Sequence, residues 1–322
     1  MAMKRRGFLA GTATLVAAGG GCITVSATET TETSRHEIGD ERVTIDNPAG
    51  DVTVRTADRE DVRVRAVKRD SMGNEDALSK LSVTTDRSDG VFTVAVEDDT
   101  DPGLADTTSL DLTVTVPTSN RVTDVDVADG DVDLRETVGD LTVDADDSDV
   151  SVRSVDGAVT VEAGDGDLTV RDVSGDATAT LDDGDATIRD VSGDATATLG
   201  DGDATVRRVE GTVTVDASDG DLTVRDPGAI DEVTAGDGDV TVEVPAVSEN
   251  AVVSAGDGDL DLALSPSLDA ELALSIADGD LSVDGFDFVA GEDVTRLETT
   301  LGDGTHSLSV SAGDGDVTVS RL

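Results

Sequence analysis

Carboxylates are the groups most available for chemistry in this chain, and their spacing is regular. Asp-Gly-Asp recurs at Asp129, Asp165, Asp183, Asp201, Asp219, Asp237, Asp257, Asp278 and Asp314, and Asp147-Ser148-Asp149 fills the one gap. From 129 to 237 every step is 18 residues. If the chain returns to the same place after each step, two acidic columns form. One is Asp129, Asp147, Asp165, Asp183, Asp201, Asp219 and Asp237; the other is Asp131, Asp149, Asp167, Asp185, Asp203, Asp221 and Asp239. Carboxylates stacked about 4.8 Å apart could share Ca²⁺, which takes roughly six to eight oxygens, so these positions are weak metal candidates. Calcium-binding nonapeptide rolls, however, carry Gly-Gly-x-Gly-x-Asp in every nine residues. The alternate nines here read Ser174-Gly175-Asp176 or Glu210-Gly211-Thr212. The competing expectation is turn chemistry, in which Asp accepts a nearby backbone N–H and Gly takes positive φ. No cofactor is expected beyond weakly held Ca²⁺ or other cations.

The remaining reactive residues are few. Arg135, Arg153, Arg171, Arg189, Arg207 and Arg225 form a third column 18 apart. Their stems are expected to cover a sheet while the heads pair with Asp172, Asp190, Asp226 or the corner carboxylates. An acidic polymer on that stripe is the rival reading, and the surrounding charge opposes it. The two histidines, His36 and His306, cannot build a multi-His metal site; His306 reads as an exposed turn residue. Carboxylate pairs for glycoside cleavage occur everywhere in the chain and so identify no active site.

Composition narrows the classes further. Of 322 residues, 71 are acidic and 23 basic, giving a net charge of −48; Asp numbers 55, Lys 3, and there is no Trp or Tyr. Nucleic-acid binding needs a cationic footprint, and stacking on sugars or bases needs aromatic rings. A single Cys excludes an internal disulfide. Low hydrophobicity with high charge can signal disorder, but the strict apolar patterning described below opposes that. The Asp-heavy, Lys-poor balance resembles halophilic archaeal proteins. At molar salt the Debye length shrinks to about 3 Å and surface carboxylates repel only weakly.

The N-terminus reads as an address. Lys4-Arg5-Arg6-Gly7-Phe8-Leu9 is a twin-arginine pattern, with Arg5, Arg6, Phe8 and Leu9 as its export signal. Leu9 to Ala18 is apolar but shorter than the roughly 20 residues that span a bilayer. It leads to Gly19-Gly20-Gly21-Cys22, resembling a lipoprotein signal with Cys22 as the acylated first residue. The expected organisation is a signal peptide at 1–21, a flexible Thr/Ser/Glu-rich spacer at 22–37, an N-terminal β region and cap at 38–120, and a repeat domain at 121–322. The expected location is the extracytoplasmic face of the cell membrane, held by lipid.

The elements that must position these columns follow from the repeat. Each 18-residue unit has two halves of nine, and apolar residues alternate within each half: Val159/Val161, Leu168/Val170 and Val213/Val215 point in, while Thr160, Thr169 and Thr214 point out. Period two marks a strand with one buried face. Identity at 18 requires each residue to stack on its own repeat partner, which antiparallel hairpins do not demand. The fold class is therefore all-β: a parallel β-solenoid of about 18 residues per coil with two short strands per coil. Val43-Thr44-Ile45, Val52-Thr53-Val54 and Val62-Arg63-Val64 read as opening coils, and Ser71–Leu81 as the one short helix. Leu81–Thr85, Val91–Val96 and Leu110–Val116 read as longer strands that cap the open end. Phe286 and Phe288 are placed to close the other. The Ala-rich coils between 177 and 204 are the expected weak waist.

Asn47-Pro48-Ala49-Gly50-Asp51-Val52-Thr53-Val54, then Leu112-Thr113-Val114-Thr115-Val116-Pro117, then the Gly-Asp-aliphatic-x-aliphatic repeats, resemble the putative-adhesin β-strand-repeat family of exported proteins. The resemblance covers residues 38–322. It implies a solenoid and an envelope location, and it brings no catalytic residues. The function expected is non-enzymatic: a surface-anchored lipoprotein whose rigid acidic solenoid serves adhesion, envelope structure or partner binding. Its partners would be the membrane, through the lipid, and an unidentified envelope component, met at Pro245–Asn250, Ser265–Asp269 or Phe286–Arg296, where the period slips. A divalent-cation-dependent module built on the Asp columns and a polysaccharide-active β-helix enzyme are the alternatives.

Overall fold

The computed structural model describes residues 28–100, 107–286 and 295–322. The chain forms two compact units, one ending at Asp149 and one running from Val150 to Leu322. Both are all-β apart from a single helical turn, and most strand pairs are parallel.

In the first unit the described strands are β1 (Thr28–Glu37), β2 (Arg42–Asn47), β3 (Val52–Ala57), β4 (Asp61–Asp70), β5 (Leu81–Ser88), β6 (Val91–Asp98), β7 (Thr108–Pro117), β8 (Val122–Asp129), β9 (Val132–Val138) and β10 (Leu141–Asp147). They make two stacks. In one, β6, β2, β8 and β10 are successive parallel neighbours, and β5 closes the edge antiparallel to β6. In the other, β7, β3 and β9 are parallel neighbours, and β4 and then β1 close the edge antiparallel. The coil β2–β3 thus lies between β6–β7 and β8–β9, although it precedes both in the chain. Alternating side chains enter the interior: Val43, Val52, Val54, Val94, Val114 and Leu134 are fully buried.

Three expectations change here. Val62 and Val64 are buried, but they belong to β4, which runs antiparallel to β7 and so is no opening coil. Thr28–Glu37, expected as part of a flexible spacer, is a ten-residue strand. Thr-rich sequence suits an edge strand, and the buried Lys68 of β4 reaches Glu32 of β1 at 2.8 Å. The helix is shorter than Ser71–Leu81. It is α1 (Glu75–Leu78), capped by Asn74, whose side chain accepts the N–H groups of Asp76 and Ala77. Residues 71–74 instead fold around the fully buried Asp70, whose carboxylate accepts the N–H groups of Met72 and Asn74 at 2.9 and 2.7 Å.

The second unit contains β11 (Val150–Asp156), β12 (Val159–Asp165), β13 (Leu168–Val173), β14 (Ala177–Asp183), β15 (Ala186–Val191), β16 (Ala195–Asp201), β17 (Ala204–Asp219), β18 (Leu222–Asp237), β19 (Val240–Val244), β20 (Val247–Asp257), β21 (Leu260–Leu264), β22 (Ala270–Asp278), β23 (Leu281–Val283), β24 (Arg296–Leu301), β25 (His306–Asp314) and β26 (Val317–Arg321). Strands two apart pair in parallel: Val159 faces Ala177, Ala177 faces Ala195, and Leu168 faces Ala186. The offset of 18 lengthens to 20 at Val240, which faces Leu260. Chain order then fails. β25 lies between β20 and β22, and β26 between β21 and β23. The last coil is therefore inserted beneath an earlier one, and β24 closes the edge antiparallel to β22.

The Ala-rich waist is filled rather than hollow. Where β12 buries Val159, Val161 and Ala163, β14 and β16 bury Ala177, Ala179, Leu181 and Ala195, Ala197, Leu199. The third inward side chain grows as the first two shrink, which keeps the layer filled. Phe286 is half-buried at its turn; Phe288 lies outside the described residues.

Candidate functional site

Stacking brings the acidic columns together at one corner of each coil, in an arrangement the repeat alone does not specify. Carboxylates of the second column, from Asp167 to Asp239, accept the backbone N–H of the Asp in the adjoining coil. In the second unit, Asp167 Oδ1 accepts from Asp185 N–H at 3.1 Å, Asp185 from Asp203 at 2.9 Å, and Asp203 from Asp221 at 2.8 Å. Asp221 accepts from Asp239 and Asp239 from Asp259, both at 2.8 Å. The series then follows space rather than sequence, from Asp259 to Asp316 to Asp280 at 2.9 Å each. In the first unit Asp51 Oδ1 accepts from Asp131 N–H at 3.2 Å. The opposite corner repeats the device: Asp176 accepts from Asp194 and Asp194 from Thr212.

The intervening glycines are required. Gly184, Gly202 and Gly220 have φ of +127, +135 and +128, and a Cβ on Gly202 would stand 2.1 Å from the Gly184 carbonyl oxygen. Ser148 escapes this because it does not share the positive φ; it is buried, and its hydroxyl has no partner among the described residues.

Electrostatics follow the packing. Burial, reinforced by Asp201 and Asp237, pushes the Asp219 carboxyl up. Burial with Asp51 and Asp149 does the same to Asp131, and burial with Asp46, Asp144 and Asp146 to Asp126. Among the described residues no group of three or more His, Cys, Asp or Glu side chains converges as a metal site. Two rows run along the coils of each unit instead: Asp129 and Asp147 in the first unit and Asp165, Asp183, Asp201, Asp219 and Asp237 in the second, and beside them Asp131 and Asp149 in the first unit and Asp167, Asp185, Asp203, Asp221 and Asp239 in the second. Backbone hydrogen bonds engage the second of them.

The arginine row is also in register. Arg153 faces Arg171, Arg171 faces Arg189, Arg189 faces Arg207, and Arg207 faces Arg225. Arg171 and Arg189 reach Asp172 and Asp190 only at 3.7 Å. The stronger partner of Asp190 is Arg208, which grips it with two hydrogen bonds of 2.6 and 2.9 Å and holds its carboxyl below the usual range. Sequence reasoning missed the reason Arg208 is there. The residue after each row arginine is left-handed: Ser154, Asp172, Asp190, Arg208 and Asp226 have φ between 52° and 59°. Asp tolerates that region, and its recurrence one place after Arg was the available signal.

The other singled-out residues do not join these columns. His36 lies in β1, hydrogen-bonded to Ser34 at 2.8 Å and 5.3 Å from the Phe92 ring; burial and then Arg87 lower its pKa. His306 is not an exposed turn residue but half-buried at the start of β25, with Nδ1 unpartnered among the described residues. Asp269 of the Ser265–Asp269 turn accepts the Thr305 N–H and hydroxyl. Ser248 and Asn250, from Pro245–Asn250, bond Asp231 and Ser307. In Phe286–Arg296 most residues lie outside the described range, as do Arg5, Arg6, Phe8, Leu9 and Cys22. A cleft of about 610 Å³ in the first unit is bordered by Pro48–Asp51, Arg69, Asp111 and Gly130, and the Arg69–Asp111 ion pair closes its wall.

The Toastrack DUF4097 family model matches residues 41–233 and 228–320. Solved structures to which the chain is similar include a putative adhesin from Parabacteroides merdae, at 11% identity over 90% of this chain and 95% of that one, with a TM-score of 0.36. A putative lipid binding protein from Parabacteroides distasonis is 12% identical over 90% and 96%, with a TM-score of 0.40. A putative cell adhesion protein from Clostridium sporogenes is 11% identical over 92% and 100%, with a TM-score of 0.22. No curated protein matches the chain.

Proposed function

The chain belongs to the Toastrack family, and from that premise we propose that it is a non-enzymatic surface lipoprotein. Its 18-residue coils form a rigid acidic scaffold for adhesion, envelope structure or partner binding. The observation that carries this reading is the use to which the commonest reactive group is put. The ridge carboxylates accept backbone N–H groups from coil to coil, at 2.8–3.1 Å between Asp167 and Asp259. A row that repeats one contact along many coils is a structural device; it does not gather different groups around one reacting atom, as catalysis requires.

The twin-arginine pattern and Cys22 support export and lipid tethering, and the acidic surface supports life in concentrated salt. The test is fractionation of native envelopes from cells making the wild type or Cys22→Ser, followed by capture of partners in high KCl with and without divalent ions. Release of the Cys22→Ser chain from the membrane and capture independent of divalent ions are expected. Recovery of the wild type in the cytosol would refute the surface location, and capture that requires divalent ions would favour the cation-dependent module. Release of products from acidic glycans would refute the non-enzymatic reading.

A further inference from the structure

The arginine row is hard to explain by the stability of one molecule. Adjacent parallel strands place Arg153, Arg171, Arg189, Arg207 and Arg225 directly beside one another, about 4.8 Å apart. Like charges in that position destabilise a sheet. Carboxylates are abundant, 71 in the chain, so a shortage of partners is not the cause. Yet the side chains of Arg153, Arg207 and Arg225 make no hydrogen bond or ion pair among the described residues, and the guanidinium groups of Arg171 and Arg189 have only their 3.7 Å neighbours. The strongest nearby acceptor, Asp190, is taken by Arg208.

A matching surface exists on the same unit. Asp185, Asp203, Asp221 and Asp239 are exposed. Each spends Oδ1 on the next coil's N–H, and Oδ2 has no partner among the described residues. The backbone bond fixes the carboxylates at the coil spacing, which is the spacing of the arginines. Two rows with one repeat have no mismatch to accumulate, so when one guanidinium meets a carboxylate the others meet theirs.

We propose that the arginine row of one copy docks side by side on the Asp-Gly-Asp ridge of a second copy. The two surfaces differ, so the interface is heterologous and extends laterally instead of closing as a dimer. The sum of several weak exposed pairs makes it effective. Net charge sets an uncommon salt dependence. At low salt the repulsion between two chains of −48 keeps copies apart. At molar salt, screening beyond about 3 Å removes that repulsion and weakens contacts between touching groups less. The proposal rests on the surface-scaffold reading for its setting.

The test is sedimentation velocity on the full chain, carrying Cys22→Ser so that acyl groups do not drive association, across a KCl series. The row variant replaces the five arginines with Gln. The ridge variant replaces Asp185, Asp203, Asp221 and Asp239 with Asn, which keeps the oxygen that accepts the backbone N–H. Wild type is expected to assemble as KCl and protein concentration rise. Each variant alone is expected to stay monomeric with an unchanged circular dichroism spectrum, and an equimolar mixture to form heterodimers that grow no further. A monomeric wild type at every KCl concentration overturns the proposal. So does assembly of either variant alone, failure of the mixture to pair, or binding of the wild type to polygalacturonate in place of itself. Wild-type chain that stays monomeric yet remains in the envelope fraction leaves the scaffold reading standing and removes this one.

Discussion

Asp203 offers a clean separation of turn chemistry from charge. It stands mid-ridge: its N–H donates to Asp185 Oδ1 at 2.9 Å, and its own Oδ1 accepts from Asp221 N–H at 2.8 Å. Asp203→Ala removes one acceptor. Both partners are exposed, so water reaches the Asp221 N–H and the cost is that of one net hydrogen bond, about 1 kcal/mol, without the penalty of an orphaned buried donor. For a unit of this size that is a loss of about 2–4 °C in melting temperature. Asp203→Asn keeps the acceptor and removes only a charge from a column of like charges, so its effect is expected within about 0.5 kcal/mol of wild type, shifting in the stabilising direction as salt falls. Thermal unfolding followed by far-UV circular dichroism, at fixed KCl with and without chelator, reads the difference between the two variants. If Asp203→Asn loses as much as Asp203→Ala, and chelation abolishes the loss, the column holds cations and the backbone account is wrong.

Gly202→Ala is expected to cost about 3 kcal/mol or more, because positive φ and a 2.1 Å approach to the Gly184 carbonyl oxygen act together; a wild-type melting temperature would refute this. Stability should peak in mild acid at fixed KCl. Asp126, Asp131 and Asp219 have raised folded pKa values, so their destabilising contribution is relieved as pH falls through those values. Asp61, Asp70, Asp190 and Asp269 have lowered ones, so their stabilisation is lost on further acidification through their folded values. A monotonic profile of melting temperature against pH would contradict that pairing. Arg208→Ala frees Asp190, and a carboxyl carbon titration should then move Asp190 upward toward the ordinary carboxylate range. Removing residues 305–322 takes out β25 and β26 from between β20–β21 and β22–β23, so loss of cooperative unfolding is expected by hydrogen exchange in both flanking coils, not only at the new end.

Strand positions and inward faces were legible because period two and period 18 are both local facts of the sequence. Val159, Val161, Leu168, Val170, Val213 and Val215 are all buried as that pattern requires. The ridge was half legible. Asp and Gly announced a corner, but no local rule says that Asp185 Oδ1 turns along the stack to the next coil rather than to its own turn. That choice depends on a neighbour 18 residues away. The left-handed row was hidden for a different reason. Position 208 carries Arg where 172, 190 and 226 carry Asp, and only the φ of +53° shows that Arg208 occupies the same place.

The ends were the least legible part, and the cause is the uniformity that made the middle easy. Every coil presents nearly the same aliphatic rows, so a coil fits beside almost any other, and sequence order is a poor guide to spatial order. What selects the neighbours is the end that must not remain open. A parallel coil leaves unpaired N–H and C=O groups at its edge. The chain covers them with strands that turn back: β5 on β6, β4 and β1 on β7, and β24 on β22. These strands cover the outermost coil, and β5 reaches β6 through only the two-residue turn Asp89-Gly90. That coil is β6–β7 in one unit and β22–β23 in the other, and the terminal coils β2–β3 and β25–β26 fill the places beneath. Both terminal coils therefore have neighbours on two sides, and neither can fray without opening the coil that covers it. For a stack whose coils depend mainly on their neighbours, this moves the weakest point away from the chain termini and onto the antiparallel edges, where β24 is the most exposed.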